Sequence, residues 1–135
     1  MLADTVVRDL QRHWEDGFNG YDLDLVIEPV AEDVVFSSPF VPVLTGDPEK
    51  VTIEGRDALR EYIGDSMRRV PGIRYSLDAS FVSTQTVILV YTCHFADGQS
   101  KTGADSIRVD RDGRIVEWRS HYSFTPDQIE NLIED

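Results

Sequence analysis

Cysteine, lysine and long apolar runs are scarce in this sequence of 135 residues. Cys93 is its one cysteine, so an internal disulfide is excluded and a cysteine-based metal framework is not expected. No apolar run approaches the roughly 20 residues that a membrane-spanning helix needs. We therefore expect a cytoplasmic protein that has no resident cofactor or metal and does not enter a membrane.

Positive charge is also in short supply. There are 25 Asp and Glu residues against 13 Lys and Arg, which gives a formal net charge of -12. A surface this negative repels nucleic-acid phosphates and anionic lipids, so neither is an expected partner. The length and the 41% hydrophobic content suit one globular domain over residues 1–135, large enough to enclose a pocket.

Helical periodicity dominates the first part of the chain. Apolar residues at three- and four-residue steps predict a helix over 5–18, with Asp4 as its cap and Asn19-Gly20 as a left-handed stop. Asp22 is expected to cap a second, short helix that Pro29 interrupts. A third helix is predicted over 56–70, and Thr125 is expected to open a short terminal helix.

Strand patterns fill most of the remainder. Residues 34–38, 73–81 and 86–95 read as strands, and Asp97-Gly98 and Asp112-Gly113 are hairpin signals that lead to two more strands. The stretch 39–54 is rich in Pro and Gly and reads as a long loop, of the kind that serves either as a lid or as a plain surface excursion. The order predicts an α+β fold in which a curved antiparallel sheet packs on about three N-terminal helices.

The two hairpin signals allow a strand register to be derived. If each loop has two residues, the numbers of paired residues add up to 195 in the first hairpin and to 225 in the second. Asp105 is then opposite Val90 in one neighbouring strand and opposite Ser120 in the other. The same arithmetic puts Thr92 and His94 on the inner face and Cys93 on the outer face. Asp105 is then an acid on an otherwise apolar inner face. A three-residue loop with a bulge at Gly113 is the main alternative to this register.

An inward acid among aromatic side chains has two interpretations. It sits in a pocket, where burial raises its pKa and the neutral form can donate a hydrogen bond, or it lies at a wet rim or satisfies a buried polar contact. In the first case Asp105 is the candidate catalytic residue. The candidate ligand-binding residues are Trp14, Phe18, Phe36, Ser38, Tyr62, Val90, Thr92, Trp118, Ser120 and Tyr122.

Several short segments, in this order, carry a family resemblance over nearly the whole chain. They are Phe18-Asn19-Gly20-Tyr21-Asp22, Ala31-Glu32-Asp33-Val34-Val35-Phe36 followed by Ser38-Pro39-Phe40, Glu54-Gly55-Arg56-Asp57-Ala58-Leu59, and Asp105-Ser106-Ile107-Arg108-Val109 before Asp112-Gly113-Arg114-Ile115. The chain resembles the nuclear transport factor 2-like superfamily, in its SnoaL-like and ketosteroid isomerase-like branch. The resemblance implies a cone-shaped sheet around helices, with a pocket at the open end.

The resemblance carries over unevenly to the catalytic positions. Asp105 stands where the isomerases place a protonated aspartic acid that donates to the substrate oxygen. Trp14 takes the place of their donor tyrosine, and an indole N–H donates without exchanging its proton. Ser38 takes the place of the general-base aspartate, so the isomerase reaction is not expected. The Asp-Arg-Asp set of epoxide-hydrolase-type members is absent from the inner face. Dehydratase-type members use His, Asp and Tyr, which keeps His94, Asp105 and Tyr122 as a combination.

The three histidines and the cysteine give weaker indications of function. His94 is expected at the pocket mouth or the surface, His121 is expected to face outward unless the Gly113 turn is bulged, and His13 is expected at the surface. Cys93 is expected to be a buried, inert thiol.

Three functions remain open. The first is a protein that binds a small, largely apolar or ring-shaped molecule, holding one carbonyl or hydroxyl at Asp105, with at most weak acid chemistry. The second is a true dehydratase, isomerase or cyclase that uses Asp105 with a Tyr or a His. The third is a non-catalytic dimerisation or accessory module. In each case we expect a homodimer.

Overall fold

A computed structural model describes residues 1–135, which form four α-helices, six strands and a terminal 3₁₀ helix. The helices are α1 (Asp4–Asn19), α2 (Leu23–Ile27), α3 (Val41–Thr45) and α4 (Arg56–Arg69), and the 3₁₀ helix spans Pro126–Leu132. The strands are β1 (Val30–Ser37), β2 (Thr52–Glu54), β3 (Arg74–Val82), β4 (Thr86–His94), β5 (Ser100–Val109) and β6 (Ile115–Tyr122).

The strands form one curved, unclosed sheet in the order β2-β1-β6-β5-β4-β3. The last four strands are a meander of antiparallel pairs, and β1 joins the sheet by parallel pairing with β6. α1 packs on β3 and α4 packs on β1, so the helices cover the concave face. The predicted α+β class is confirmed, and the β1–β6 pair is the parallel exception in the antiparallel sheet.

The helix ends follow the predicted chemistry in some places and depart from it in others. The Asp22 side chain caps α2 by accepting the Leu25 N–H at 3.1 Å, as predicted. Asp4 does not cap α1; it is the first helical residue, after Ala3. Gly20 is not left-handed either, because Tyr21 takes the positive φ of 50° that turns the chain.

The stretch 39–54 is not a structureless loop. It contains the short helix α3, which begins near Pro42 as the first turn of a helix allows, and the edge strand β2, which pairs with β1 through Ile53 and Phe36. Buried Val41 and Leu44 anchor α3 in the core. The apolar side chains within a proline-rich sequence account for the structure that the composition alone did not predict.

Both hairpin loops contain three residues instead of two. The Phe95 N–H donates to the Gln99 carbonyl at 2.9 Å, and the Asp110 N–H donates to the Arg114 carbonyl at 2.9 Å, which encloses 96–98 and 111–113. A two-residue type I′ turn needs positive φ at both central residues, and only the glycines, at 88° and 80°, adopt it. The Asp residues of the two Asp-Gly pairs do not.

The extra loop residue has opposite consequences in the two hairpins. In the first it shifts the pairing by one, so Asp105 faces Leu89 and not Val90. In the second a bulge next to Val109 restores the derived pairing, and Asp105 faces Ser120 as predicted. The faces of β5 and most of β6 are therefore as predicted, and those of β4 are inverted.

The core lies between the helices and the concave face of the sheet and holds 27 buried hydrophobic residues. His13 belongs to its margin, not to the surface: it is 8% exposed, and its Nδ1 lies 2.6 Å from the Asp9 carbonyl. No helix has the length and apolar character needed to cross a membrane.

Candidate functional site

A partly open cavity of about 100 Å³ lies inside the cone. It is lined by 23 residues, of which 19 are hydrophobic, and Asp105 is the one acid among them. α1 supplies Trp14 and Phe18 to the wall, and α4 supplies Tyr62 and its neighbours. The sheet supplies Asp105 and the side chains around it, and α3, the 3₁₀ helix and the connecting segments supply the rest. Phe81 is the sole aromatic residue of the chain that lies outside this wall. The cavity is thus an aromatic chamber that contains one carboxyl group.

Three side chains donate hydrogen bonds to the Asp105 carboxyl group. The indole N–H groups of Trp14 and Trp118 both donate to Oδ2 at 3.0 Å, and the Tyr91 hydroxyl donates to Oδ1 at 2.7 Å. These are the only two tryptophans of the chain. Asp105 itself is 3% exposed. Ser120 pairs with Asp105 across the β5–β6 ladder, and its hydroxyl group is a fourth hydrogen-bond partner that lowers the pKa of this carboxyl group.

Burial dominates the electrostatics of this group. Removal from water raises the pKa of Asp105 above its ordinary value, and the hydrogen bonds from Trp118, Tyr91, Ser120 and Trp14 offset part of that rise. Burial likewise raises the pKa values of Tyr75, Tyr91 and Tyr122. The phenols therefore keep their protons near neutral pH and can act as hydrogen-bond donors.

A glycine in β5 makes room for the Tyr91 donor. Tyr91 pairs with Gly103 across the β4–β5 ladder, and a Cβ at position 103 would lie 2.5 Å from Tyr91 Cε2 and 2.8 Å from its hydroxyl oxygen. The phenol thus lies directly over the Gly103 backbone and reaches Asp105, two residues further along β5 on the same face. Glycine is the residue type that permits this approach.

Most of the predicted lining residues lie at the cavity wall. These are Trp14, Phe18, Phe36, Ser38, Tyr62, Trp118, Ser120 and Tyr122, together with Asp105. Ring contacts tie the wall together, with 4.5 Å between the centroids of Trp14 and Tyr91 and 5.5 Å between those of Phe36 and Trp118.

Val90 and Thr92 were predicted to line the cavity and do not. The three-residue loop turns them to the outer face of the sheet, where Thr92 donates to Asp78 at 2.7 Å. His94 turns outward with them and bonds Ser76 and Ser100. The predicted grouping of His94 with Asp105 and Tyr122 is therefore wrong.

Tyr91 and Cys93 are the wall residues that the sequence register missed. They occupy the inner face of β4 together with Val87 and Leu89, all at most 2% exposed. The hydrophobic pattern held the signal, because this set has no charged or imidazole side chain, whereas the alternative face contains Thr92 and His94. Cys93 was predicted to face away from Asp105; it lines the cavity, and burial raises its pKa to about 12.

Ser38 has no partner that would make it a base. Its Oγ accepts the Phe40 N–H at 3.2 Å, and the residue is 7% exposed. A serine hydroxyl removes a carbon-bound proton only with assistance from a stronger base. His121 faces outward, as predicted, with its Nδ1 3.2 Å from the Ala104 carbonyl. No group of three His, Cys, Asp or Glu side chains is arranged to hold a metal ion.

Comparison with known proteins places these features in a family context. The sequence matches the SnoaL-like domain family model over residues 10–118. No curated protein matches the sequence.

Three solved structures illustrate the similarity of fold. A SnoaL-like protein of unknown function from Burkholderia thailandensis has a TM-score of 0.77 at 22% identity, over 90% of this chain and 98% of that chain. An NTF2-like protein of unknown function from Mesorhizobium loti has a TM-score of 0.72 at 27% identity, over 92% and 98%. A steroid delta-isomerase from Pseudomonas aeruginosa has a TM-score of 0.68 at 19% identity, over 91% and 82%.

Proposed function

Because this chain belongs to the SnoaL-like domain family, we propose that it binds a small, largely apolar molecule and holds that molecule's polar group at Asp105. The observation that carries the proposal is a single buried carboxyl group, held by hydrogen bonds, in the wall of an aromatic cavity. Ligand sites are typically apolar chambers with a few polar groups that fix orientation. Proteins with this fold include isomerases, such as the steroid delta-isomerase above, and cyclases. We therefore expect the functional site of this chain to be its pocket.

The size of the cavity limits the ligand. An apolar cavity of about 150 Å³ is known to hold benzene, and this one measures about 100 Å³. The enclosed part of the ligand is therefore no larger than a small ring or a branched hydrocarbon group, and any larger part must extend through the open side. The cavity argues against a module whose interior is filled by its own side chains.

A second function, that of a dehydratase, isomerase or cyclase, is favoured by one contact. The Tyr91 hydroxyl donates to Asp105 at 2.7 Å, so a phenol and a carboxyl group are placed to transfer a proton in an acid-catalysed step. Its weakness is the missing base at Ser38. If 3-cyclopentenone is not isomerised by the wild type but is by Ser38→Asp, the missing base explains the lack of activity. Equal rates in both would contradict that explanation.

A direct test of binding uses an apolar probe and two variants. Fluorobenzene should show fluorine NMR line broadening with the wild-type protein, because its ring is about as large as the cavity. Cys93→Phe fills the cavity and should abolish the broadening, whereas Val51→Ala, at a residue that is 59% exposed, should leave it intact. Native mass spectrometry of the purified protein would then reveal a co-purified ligand. The absence of broadening with the wild type would refute the proposal.

The homodimer expected from the sequence remains part of this proposal. The outer face of the sheet exposes Phe81 and Ile88, which is where a second copy would find apolar surface. Sedimentation velocity of the wild type measures the oligomeric state, and a monomer at all concentrations would refute this part.

A further inference from the structure

The Asp105 carboxyl group has no positive charge beside it. None of the residues that line the cavity is Lys, Arg or His, and every ion pair of the chain involves another carboxylate. A buried carboxylate is ordinarily paired with a cation or becomes protonated. Within the protein, Asp105 therefore lacks the partner that would complete an ion pair.

Its hydrogen-bond partners are suited to the ionised form. Trp14 and Trp118 can only donate, and they converge on the same oxygen, Oδ2. Tyr91 donates to the other oxygen. Each of these hydrogen bonds, and the one from Ser120, lowers the pKa of Asp105 and so favours its ionised form. The donors are therefore arranged to stabilise the Asp105 carboxylate, which has no counter-ion within the protein.

The wall of the cavity is suited to that counter-ion. Aromatic faces attract cations through their quadrupoles, and the rings of Trp14, Tyr91, Trp118 and Tyr122 all line the cavity that contains Asp105. Their apolar surfaces also accept the hydrocarbon that carries the charge. The net charge of -12 raises the local concentration of cations around the molecule.

We propose, on the basis of the binding function proposed above, that the polar group of the ligand is a protonated amine on a small hydrocarbon. Its N–H donates to Asp105 Oδ1, the oxygen that the two indole groups leave to Tyr91, and its charge is stabilised by the aromatic wall. The ligand completes the ion pair that the protein leaves open. A carbonyl compound would instead require the neutral form of Asp105.

Protons compete with such a ligand for the same carboxylate. The other titratable groups around Asp105 are Tyr62, Tyr75, Tyr91, Tyr122 and Cys93, and burial raises the pKa of each. They remain neutral near pH 7, and a primary amine remains protonated. Amine binding should therefore weaken as the pH falls and Asp105 becomes protonated, whereas binding of a neutral alcohol should not.

A matched series of probes tests this proposal. Cyclopentylamine, cyclopentanol and cyclopentanone have the same ring, and each has as many non-hydrogen atoms as benzene. Both tryptophans contact Asp105, so intrinsic fluorescence reports binding. We expect the amine to bind at least about tenfold more tightly than the alcohol or the ketone. Asp105→Asn should remove that preference, and Asp78→Asn, which makes the same charge change on the outer face, should keep it.

The possible outcomes separate this proposal from the function on which it rests. If the alcohol or the ketone binds as tightly as the amine, the cation proposal is overturned and the binding function stands. If none of the three binds while fluorobenzene does, the cation proposal is again overturned. If neither these probes nor fluorobenzene binds, both fail. Should Asp105→Asn not fold, the pH dependence of amine binding to the wild type decides, and a flat profile overturns the proposal.

Discussion

Replacing Gly103 by alanine should dislodge the phenol that donates to Asp105. The added Cβ would lie 2.5 Å from Cε2 of Tyr91, 2.6 Å from its Cζ and 2.8 Å from its hydroxyl oxygen. Carbon atoms in contact are separated by about 3.5–4.0 Å, so the ring must move by about 1 Å. The Tyr91–Asp105 hydrogen bond, now 2.7 Å, would then exceed the usual limit of about 3.0 Å for a bond between oxygens.

Two costs combine in this variant. Overpacking of a well-filled interior costs about 1–3 kcal/mol, and loss of a hydrogen bond to a charged group costs about 1.5–3 kcal/mol. We therefore expect Gly103→Ala to lower the free energy of unfolding by about 2.5–6 kcal/mol. Tyr91→Phe, which loses the hydroxyl alone, should lose only the second amount.

Urea unfolding of a double-mutant cycle tests the reasoning. Tyr91→Leu removes the ring edge that the new Cβ would meet. In that background, Gly103→Ala should be neutral or stabilising by about 0.5–1 kcal/mol, because alanine is favoured over glycine within a strand. A cost below about 1 kcal/mol in the wild type, or an equal cost in both backgrounds, would refute the proposed steric cause.

Three further predictions concern the same cavity. Burial raises the pKa of Asp105, so the folded protein binds this proton more tightly than the unfolded chain does. The resulting stabilisation is complete below the ordinary pKa of about 3.9 and is lost as the pH rises through the raised pKa. The stability deficit of Asp105→Asn relative to wild type, from urea unfolding, should thus shrink as the pH rises; a deficit that grows would contradict this. Trp118→Phe removes one donor from Asp105 and should cost about 1.5–3 kcal/mol in the same assay, against near-neutrality for Val51→Ala at an exposed position. Cys93, 2% exposed with a pKa raised to about 12, should react with a thiol reagent at pH 8 only after denaturation, and rapid labelling of the native protein would contradict its placement.

The inward position of Asp105 was predicted correctly although two features of the second hairpin were not. These are its longer loop and its bulge, whose effects on the register cancel. Asp105 and Ser120 pair as derived, although the loop at Gly113 is one residue longer than assumed, since a bulge beside Val109 absorbs the extra residue. A three-residue loop with a bulge at Gly113 was the alternative to the derived register, but the sequence did not indicate that the extra residue would be Val116, between the pairs Arg108–Glu117 and Val109–Ile115. The pairing was right, but the turn that was thought to produce it was not.

No such compensation occurs in the first hairpin. The loop at Gly98 shifts β4 by one residue and turns Tyr91 inward and Thr92 outward. An Asp-Gly pair fits either a two-residue turn or a three-residue loop, because glycine accepts the positive φ that both require. The difference lies in the Asp residue, whose φ the sequence does not specify. The apolar pattern along β4 was the better guide to its faces.

The long-range contacts of the site were the least accessible to sequence reasoning. The predicted stripe of α1 placed Trp14 in the core, but its donation to Asp105, 91 positions away, depends on how the helix lies across the sheet. The same holds for the convergence of Trp14 and Trp118 on one oxygen. Periodicity predicts which face of an element is buried, not which atoms meet there.

The carbon-13 chemical shift of the Asp105 carboxyl group, followed against pH, measures directly whether this buried group binds a cationic ligand as an anion. We expect a midpoint above the ordinary carboxyl range in the free protein, because burial outweighs the hydrogen bonds to this group. Saturating cyclopentylamine should lower this midpoint and cyclopentanol should not, because only the amine stabilises the anion. A midpoint within or below the ordinary range, or one that cyclopentylamine leaves unchanged, would contradict the proposed role of Asp105.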